Sequence, residues 1–524
     1  MKNVEEHKKL LAQIAELEKD STNFFDVEKE FFLIDSNNLS EVKTKFYGYS
    51  IQATGIYEQD NLTEDAVKNL DGRGCYVYVE VKDGQITIKQ DVNGCWGIYL
   101  FRHGDYFALS NSFFRLLDHV KFLYPLTVNR DYCNYLLVNK VSSHSYFETA
   151  VNEIRLVERN AVFYIDTAKK QLEIDLIDYR EHTLSLNSKE GVANLDSWVD
   201  IWSNVLRGVT HHTKFFQATL SGGFDTRISF VFLLNSGIDL NKIRIYSNED
   251  GLHTHKEDFA IASQIAEHYG FKLNQPLARR QFLNNSISDT FAIDLYVKQT
   301  FSNLPYYGSA KAIDKSYSLE GAGGEIIRGN WLRFGSMEKF WQRELRIGSK
   351  SRILSREISD SVKNILESAF SAFRDKYKIE DPDSLWLAQY LYQDTRCRHH
   401  FGKMILKSYF ANGLTFSPAL DPKVKTLKLE TSECPDPKLL IALLFTRYAP
   451  DLLKFPFEGK RSIAPETIAC AQKLNERFPR NFLSDKDIGG GFRSIYNREI
   501  CKPRKFLLRG KTINLFRENF LKLA

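Results

Sequence analysis

Long apolar runs, paired cysteines and a strong excess of one charge are all missing from this chain of 524 residues. The stretch from Leu439 to Phe445 is among the longest apolar runs, well short of the ~20 residues that a membrane-spanning helix needs. Lysine and arginine number 71 against 66 aspartates and glutamates, and the basic residues form only short clusters. These absences predict a chain that binds neither a membrane nor nucleic acid.

The spacing of the cysteines and the N-terminal residues indicate the cellular compartment. The seven cysteines include no Cys-x-x-Cys pair, which is typical of reduced thiols in a cytoplasm. The N-terminus is charged and polar from Lys2 onward, unlike a secretory signal. With 43% hydrophobic residues the chain can build large cores, and its length suggests two or three domains at ~150 residues each. We therefore expect a folded cytoplasmic protein.

What the chain does contain is a glycine turn between a strand-like and a helix-like segment. Aromatic and β-branched residues predict a strand that stops at Ser221, and a helical apolar pattern begins at Ile228. Glycines let a backbone approach an anion, and the N–H groups at a helix start supply positive potential. Asp225 is placed to hold a metal ion on the phosphates. The residues of this turn predicted to bind phosphate are Leu220, Ser221, Gly222, Gly223, Asp225 and Thr226.

Residues 221–225, Ser-Gly-Gly-Phe-Asp, resemble the pyrophosphate loop of the N-type ATP pyrophosphatases. Those enzymes split ATP into AMP and pyrophosphate while they activate a substrate. The loop lacks the Gly-Lys-Ser/Thr of a Walker-type phosphate loop. The resemblance implies that ATP and Mg²⁺ bind here. Since Ser-Gly-Gly turns also start ordinary helices, the alternative is a plain helix-start turn.

The first 185 residues predict a helix over residues 4–19 and then strands joined by short turns. Segments 70–72, 90–94 and 108–112 resemble the sandwich of class II glutamine amidotransferase domains. An amidotransferase-like half followed by a pyrophosphatase half is the layout of the asparagine synthetases, which this chain resembles over nearly its whole length. The resemblance implies a two-domain α/β fold. Its first domain is an Ntn-hydrolase-like αββα sandwich over 1–185, and its second is a doubly wound parallel-sheet ATP-pyrophosphatase domain with helical additions over 186–524.

One departure from that family bears on glutamine hydrolysis. The family's glutaminases use an N-terminal cysteine whose own α-amine serves as the base. Here Met1 is followed by Lys2. Cys75, Cys95 and Cys133 are internal and have no free α-amine. We expect the first domain to lack glutaminase activity, as in the β-lactam synthetases that share this layout.

A second glycine loop follows later in the chain, within residues 319–329. It resembles the family's signature Gly-Glu-Gly-Ser/Gly-Asp-Glu. The resemblance implies a second metal contact from Glu325 across from Asp225. Ser247 ends a predicted second parallel strand, where the base and ribose of the nucleotide are expected. The nucleotide contacts that the second loop implies are Gly321, Gly323 and Gly324.

The second loop also departs from the signature. Ala322 stands where the family has a Glu that is thought to act as a base near the incoming ammonia, and Ile326 replaces the final Glu. The loss argues against ordinary asparagine synthesis. Asp394 is the candidate replacement base. Beside it lies a cluster that is either a carboxylate- or phosphate-recognising patch or a solvated helix face: Arg396, Arg398, His399 and His400.

Near the C-terminal end, Lys460 best matches a family lysine that holds the reacting α-phosphate. A lysine beside developing phosphate charge suits such a transition state. Arg461 is expected to share that role. Arg227 stands in place of the family's usual second serine, as in asparagine-synthetase-like proteins associated with surface-polysaccharide or natural-product pathways.

Together these features predict an ATP-dependent, AMP- and pyrophosphate-forming carbon–nitrogen ligase. Its partners would be a small-molecule carboxylate and an amine or ammonia, and the oligomeric state, a homodimer included, stays open. Three alternatives remain. They are an asparagine synthetase running on free ammonia, a tRNA-modifying pyrophosphatase, and a non-catalytic degenerate partner. The lost Glu disfavours the first, the amidotransferase-like half disfavours the second, and the intact first loop disfavours the third.

Overall fold

The computed structural model describes residues 31–138, 147–177, 184–249, 253–276, 314–329, 339, 356–377, 385–410, 412–425, 427–428 and 431–480. The helix expected over residues 4–19 and the tail after residue 481 lie outside these ranges. Within them, no helix is long and apolar enough to cross a membrane.

The strands of the first half form two antiparallel sheets, with orders β1-β7-β6-β8 and β10-β9-β5-β4-β2-β3. Helix α2 packs against β6 and β7. The strand bounds are β1 Leu33–Asp35, β2 Lys45–Gln52, β3 Gly55–Glu58, β4 Gly74–Lys82, β5 Gln85–Gln90, β6 Tyr99–His103, β7 Tyr106–Ser110, β8 Ile154–Leu156, β9 Ala161–Asp166 and β10 Gln171–Leu176. The helices are α1 Glu64–Lys68, α2 Phe113–Val120 and α3 Arg130–Val138.

The hairpin between β4 and β5 shows why the first half could be predicted. Asp83 and Gly84 have positive φ angles of 49° and 76°, which a two-residue hairpin turn needs in order to follow the twist of its strands. Alternate residues of β4, such as Val77 and Val79, point into the core. The sequence predicts strands over residues 45–51, 75–81, 86–90, 97–102 and 106–110. Strands β2, β4, β5, β6 and β7 confirm these bounds to within two residues at each end.

The second half contains a parallel sheet of order β13-β12-β14-β15. From β12 the chain adds β13 on one side and β14 on the other. The carboxyl ends of β12 and β14 therefore frame a crevice of the kind in which open α/β sheets bind ligands. The bounds are β11 Leu184–Ser185, β12 Phe216–Thr219, β13 Arg244–Tyr246, β14 Ser316–Leu319, β15 Gly413–Phe416 and β16 Leu427–Lys428, and β11 pairs with β16.

Helices of the second half pack against this sheet and against one another. Trp202 of α4 meets the ring of Phe416 with centroids 6.1 Å apart, and Trp198 meets Phe232 of α5 at 4.7 Å. The helix bounds are α4 Lys189–His212, α5 Phe224–Asn235, α6 His253–Tyr269, α7 Gly324–Ile327, α8 Arg356–Tyr377, α9 Leu385–Asp394, α10 Lys403–Phe410, α11 Pro422–Lys425, α12 Leu439–Tyr448 and α13 Pro465–Arg477, with a π-helix at Cys397–Gly402.

The sequence pattern predicts helix over residues 384–430. This is right for the part up to Phe410 that the structure describes but wrong further on, where β15 lies. Leu414 and Phe416 are buried against the sheet, and Gly413 to Phe416 pair with β14. Pairing with a neighbouring strand overrides local propensity in so short a segment.

The two halves share one apolar core. The ring of Trp96, after β5, lies 5.5 Å from that of Phe410, at the end of α10. The chain is therefore an α/β protein with antiparallel sheets, a parallel sheet and helices, consistent with two domains. The boundary at residue 185 stays a prediction.

Candidate functional site

The structure brings the two glycine loops together at the carboxyl ends of β12 and β14. Gly321 and Gly324 lie directly against Asp225. A Cβ on Gly321 would lie 2.6 Å from the carbonyl carbon of Asp225, and one on Gly324 would lie 2.5 Å from its Oδ1. Only glycine allows this approach, because any side chain would displace the first loop.

Hydroxyl groups brace the first loop. Thr226 Oγ1 accepts a hydrogen bond from the Ser221 amide at 3.0 Å, and Ser221 Oγ accepts one from the Gly223 amide at 3.1 Å. The two hydroxyls are also 3.0 Å apart. Helix α5 begins at Phe224, earlier than expected, and no side chain caps it. The loop therefore presents the positive end of a helix at the crevice.

A carboxylate lies beside the first loop. A Cβ on Gly222 would lie 3.0 Å from Oδ1 of Asp258, in α6. Burial raises the pKa of Asp258 to about 6, the nearby Glu458 adds to that rise, and the Gly222 amide opposes it. The loop thus lies next to an acidic group.

Asp225 and Glu325, the predicted metal ligands, lie on two sides of Arg328. Its guanidinium is 3.0 Å from Asp225 Oδ1 and 3.6 Å from Glu325 Oε1. Burial raises the pKa of Asp225 to about 6, Arg328 opposes this rise, and Glu325 adds to it. Asp225 Oδ1 is buried and accepts no well-aligned hydrogen bond from the described residues. Hard carboxylate oxygens with unused lone pairs suit Mg²⁺.

Glu325 is held from its other side by the helical segment. Tyr392 donates its hydroxyl hydrogen bond to Glu325 Oε2, and Arg396 Nε lies 3.4 Å from the same oxygen. Arg396 therefore lies at the crevice. Arg398 instead donates to the carbonyls of Gly94 and Val157 of the first half.

The histidines of that cluster are placed less favourably for catalysis. His399 and His400 lie in the π-helix beside Arg396. Burial and the charge of Arg396 lower the pKa of His400 to about 4, so its ring is neutral at neutral pH. Among the described residues, neither histidine belongs to a group with metal-ligand spacing.

Asp394, the candidate base, lies in a buried ion pair. Arg159 Nε donates to its Oδ1, and Lys376 Nζ lies 3.0 Å from its Oδ2. Its side chain is 1% exposed. A carboxylate with two cationic partners is stabilised in its charged form, so these contacts favour a structural role.

Lys460 and Arg461 follow a short segment that sits on the first loop. The amide of Glu458 donates to the carbonyl of Gly222 at 3.0 Å, and Arg461 pairs with Glu458 at 2.9 Å. Gly459 and Lys460 have φ angles of 61° and 56°, a left-handed conformation that is unusual for lysine. The charge of Arg461 also lowers the pKa of Asp225 slightly, which places this segment near the predicted metal ligands.

Ser247 follows β13 at the same edge of the sheet. Its amide donates to Asn274 Oδ1 at 3.0 Å, and its carbonyl accepts from Asn274 Nδ2 at 3.0 Å. Its buried hydroxyl has no hydrogen-bond partner among the described residues. The position fits the one expected for the nucleoside side of ATP.

The sequence interpretation missed Glu320 and Asp258. Glu320 directly follows β14 and precedes the second loop. Burial raises the pKa of its carboxyl to about 7, and the nearby hydroxyls of Thr219 and Ser318 oppose that rise. No described lysine or arginine pairs with it. The sequence signal for Glu320 was its position two residues before Ala322, where the family has its Glu.

A second group of potential ligands lies in the first half. Cys75, Asp91 and Cys95 have ligand atoms within 4.8 Å of one another and are fully buried. Burial is the largest cause that raises the pKa of Cys75, and Asp91 accepts hydrogen bonds from the amides of Tyr76 and Asn93. Protonated thiols and an occupied carboxylate fit a packed core better than a metal site.

Comparisons with known proteins add little to this geometry. No family model matches the chain, and no curated protein matches it. One similar solved structure is the glutamine phosphoribosylpyrophosphate amidotransferase from B. subtilis, complexed with ADP and GMP. The identity is 11%, the match covers 53% of this chain and 47% of that one, and the TM-score is 0.14. This chain thus spans less than half of that structure, and so low a score carries no argument.

Proposed function

We propose that this chain is an ATP-dependent ligase that adenylates a substrate carboxylate, releases pyrophosphate and passes the acyl group to a nitrogen nucleophile. One observation carries the proposal. Two glycine loops meet at the point where the strand order of the parallel sheet reverses, and Gly321 and Gly324 of one loop touch Asp225 of the other. We also propose that this half has the N-type ATP-pyrophosphatase fold and that the first half is an Ntn-hydrolase-like sandwich.

The loop that would hold the phosphates has the right polarity. The helix start at Phe224 has no side-chain cap, and the carboxylate of Asp258 lies beside Gly222. A phosphate oxygen would take the place of that carboxylate beside the loop. Ser221 and Thr226 would keep the loop open through their mutual hydrogen bond.

The acidic residues fit Mg²⁺. Asp225 and Glu325 would contribute carboxylate oxygens, and Arg328 would move from between them toward the phosphates or the substrate carboxylate. When bound, Mg²⁺ would neutralise phosphate charge and favour departure of pyrophosphate. Lys460 and Arg461 would supply positive charge from the opposite side of the loop.

The reaction would run in two displacements. A carboxylate oxygen attacks the α-phosphorus, and the bond from that phosphorus to the bridging oxygen of pyrophosphate breaks. The nitrogen nucleophile then attacks the acyl carbon, the bond from carbon to the AMP oxygen breaks, and one proton leaves the nitrogen. Glu320 is a better acceptor for that proton than Asp394, because no described cation holds it in its charged form.

The first half would not hydrolyse glutamine in this proposal. Cys75 and Cys95 are internal and fully buried. Burial raises the pKa of Cys75, and the contact with Cys75, followed by burial, raises that of Cys95. Ammonia or an amine would therefore reach the crevice from solution.

The test is pyrophosphate release from Mg-ATP by the purified chain with a panel of amino acids, uronic acids and amines. Asp225→Asn removes a metal ligand, and Asp239→Asn, in an exposed turn before β13, is the matched control. Release that requires one carboxylate and disappears only in Asp225→Asn supports the ligase. Release that is insensitive to Asp225→Asn contradicts it, as does failure of Mg-ATP to bind in calorimetry.

A non-catalytic nucleotide-binding or scaffolding role is the second candidate. It is favoured by a contact that neutralises the site from within, because Arg328 lies between Asp225 and Glu325. Calorimetry separates the two candidates. Mg-ATP binding without pyrophosphate release across the whole panel favours this second role.

A further inference from the structure

Arg227 is a fully buried arginine directly after the first glycine loop. It lies in the first turn of α5, and its residue is 0% exposed. A charged guanidinium is costly to bury, and only well-placed acceptors offset that cost. Burial lowers the pKa of Arg227 to about 10, so the group is still charged at neutral pH.

The acceptors around Arg227 come from two separate segments. Its NH2 donates to the carbonyl of Gly222 in the loop at 3.1 Å and also to the carbonyl of Pro456. Its NH1 donates to the carbonyl of Phe455 at 3.2 Å. The planar fork of arginine suits several acceptors at once, which the point charge of lysine does not. The guanidinium therefore ties the loop to residues 455–456.

Aromatic packing joins the same two segments. The guanidinium of Arg227 lies 4.2 Å from the ring centroid of Phe457, a cation–π arrangement. Phe457 stacks on Phe224, the first residue of α5, with centroids 4.0 Å apart. The basic segment, residues 457–461, starts at this ring and continues to Lys460 and Arg461.

The basic segment has little support of its own. Gly459 and Lys460 are both left-handed, and Lys460 and Arg461 are exposed. A strained backbone of this kind persists only where its surroundings fix it. Contacts through Arg227, Phe457 and Glu458 belong to those surroundings, together with a hydrogen bond from the Gly459 amide to Glu257 Oε1 at 3.1 Å.

We propose that Arg227 is a positioning residue, which fixes the basic segment on the first glycine loop so that Lys460 and Arg461 face the phosphates of ATP. The inference rests on the ATP site proposed above. Loss of an ordinary core arginine would lower stability without changing the contribution of Lys460 to Mg-ATP binding. Loss of a positioning residue would remove that contribution.

The first test is a double-mutant cycle for Mg-ATP binding, measured by calorimetry on the full chain. Lys460→Ala is expected to weaken binding about tenfold, as for loss of a charge-assisted hydrogen bond. Arg227→Met should weaken it at least as much. In the Arg227→Met background, Lys460→Ala should have almost no further effect, because Lys460 is already misplaced. Additive effects would overturn the proposal.

The second test needs no nucleotide. Trypsin cleavage after Lys460 or Arg461 should be about tenfold faster in Arg227→Met than in the wild type, because the segment opens more often. Arg207→Met is the matched control, since Arg207 Nε also donates to a carbonyl, that of Ser236 at 2.8 Å. It should lower thermal stability without changing this cleavage. Unchanged cleavage in Arg227→Met would overturn the proposal.

Two further measures keep the outcomes distinct. If Arg227→Met does not fold, Arg227→Lys replaces it, since lysine keeps the charge but cannot bridge the carbonyls of Gly222 and Phe455. A wild-type chain that does not bind Mg-ATP refutes the ATP site itself, whereas binding with additive effects refutes only the role of Arg227.

Discussion

The junction between the two halves and the carboxyl edge of the parallel sheet treat buried charge in opposite ways. At the junction, opposite charges meet. Arg73 Nε lies 2.5 Å from Asp421, and Arg159 donates to Asp394, with all four side chains at most 3% exposed. These two pairs are thus neutralised within the chain.

At the edge of the sheet, carboxyl groups also lie close to one another. Asp225 lies near Glu325, and Asp258 near Glu458, and each pairing adds to a raised pKa. Arg328 compensates the first pair only in part, since the pKa of Asp225 stays raised. A protein tolerates such a cluster of carboxyl groups where a ligand relieves it, so the cluster marks this edge as the candidate functional region.

The largest expected effect is on the junction. Asp394→Asn should lower the free energy of unfolding by about 3–5 kcal/mol, because it leaves Arg159 and Lys376 buried without a counter-charge. Urea denaturation measures this. Glu367→Gln is the matched control, since Glu367 pairs with Lys363 on an exposed face of α8 at 3.6 Å, and it should change little. If Asp394 is a base instead, its variant will keep its stability and lose turnover.

The next effect is on the edge. Gly324→Ala should weaken Mg-ATP binding about 100-fold or more, or about 2.7 kcal/mol, because its Cβ would lie 2.5 Å from Asp225 Oδ1. Calorimetry measures the affinity. Gly104→Ala is the control, since its Cβ would meet nothing within 4 Å although its φ is +58°. An equal loss of affinity in both variants would show that the second loop has no special part in binding.

Much of this contrast could be predicted from sequence, and some could not. The loop at Ser221 and the hairpin at Asp83-Gly84 are local, because glycines and short polar residues dictate them. Gly324 touches Asp225 because β12 and β14 are neighbours in the sheet. The resemblance of the two loops implied that they lie close together, but no residue pattern specified the strand order. The partners of Asp394 and of Arg227 come from distant segments, so no local pattern encoded them.

A pH experiment sharpens the comparison at Glu320. Its folded pKa of about 7 lies above the ordinary 4.5. The native state therefore binds the proton more tightly, and stability is lost as pH rises from about 4.5 through about 7. Glu320→Gln should match the wild type at pH 5 and be more stable by about 1–2 kcal/mol at pH 8, after discounting for partial exposure. Urea midpoints at both values test this, and an equal pH dependence in both proteins would contradict it.

The smallest expected effect concerns Asp258, whose carboxylate lies beside Gly222 of the predicted phosphate loop. Asp258→Asn should strengthen Mg-ATP binding at pH 8 by about 3-fold to tenfold, since it removes one negative charge beside the phosphates. The advantage should fade as pH falls through about 6, where burial leaves the wild-type carboxyl protonated. The ratio of the two affinities at each pH cancels the titration of ATP itself. A ratio that does not change with pH would mean that Asp258 lies outside the phosphate site. The close carboxyl groups at this edge would then serve a ligand other than ATP.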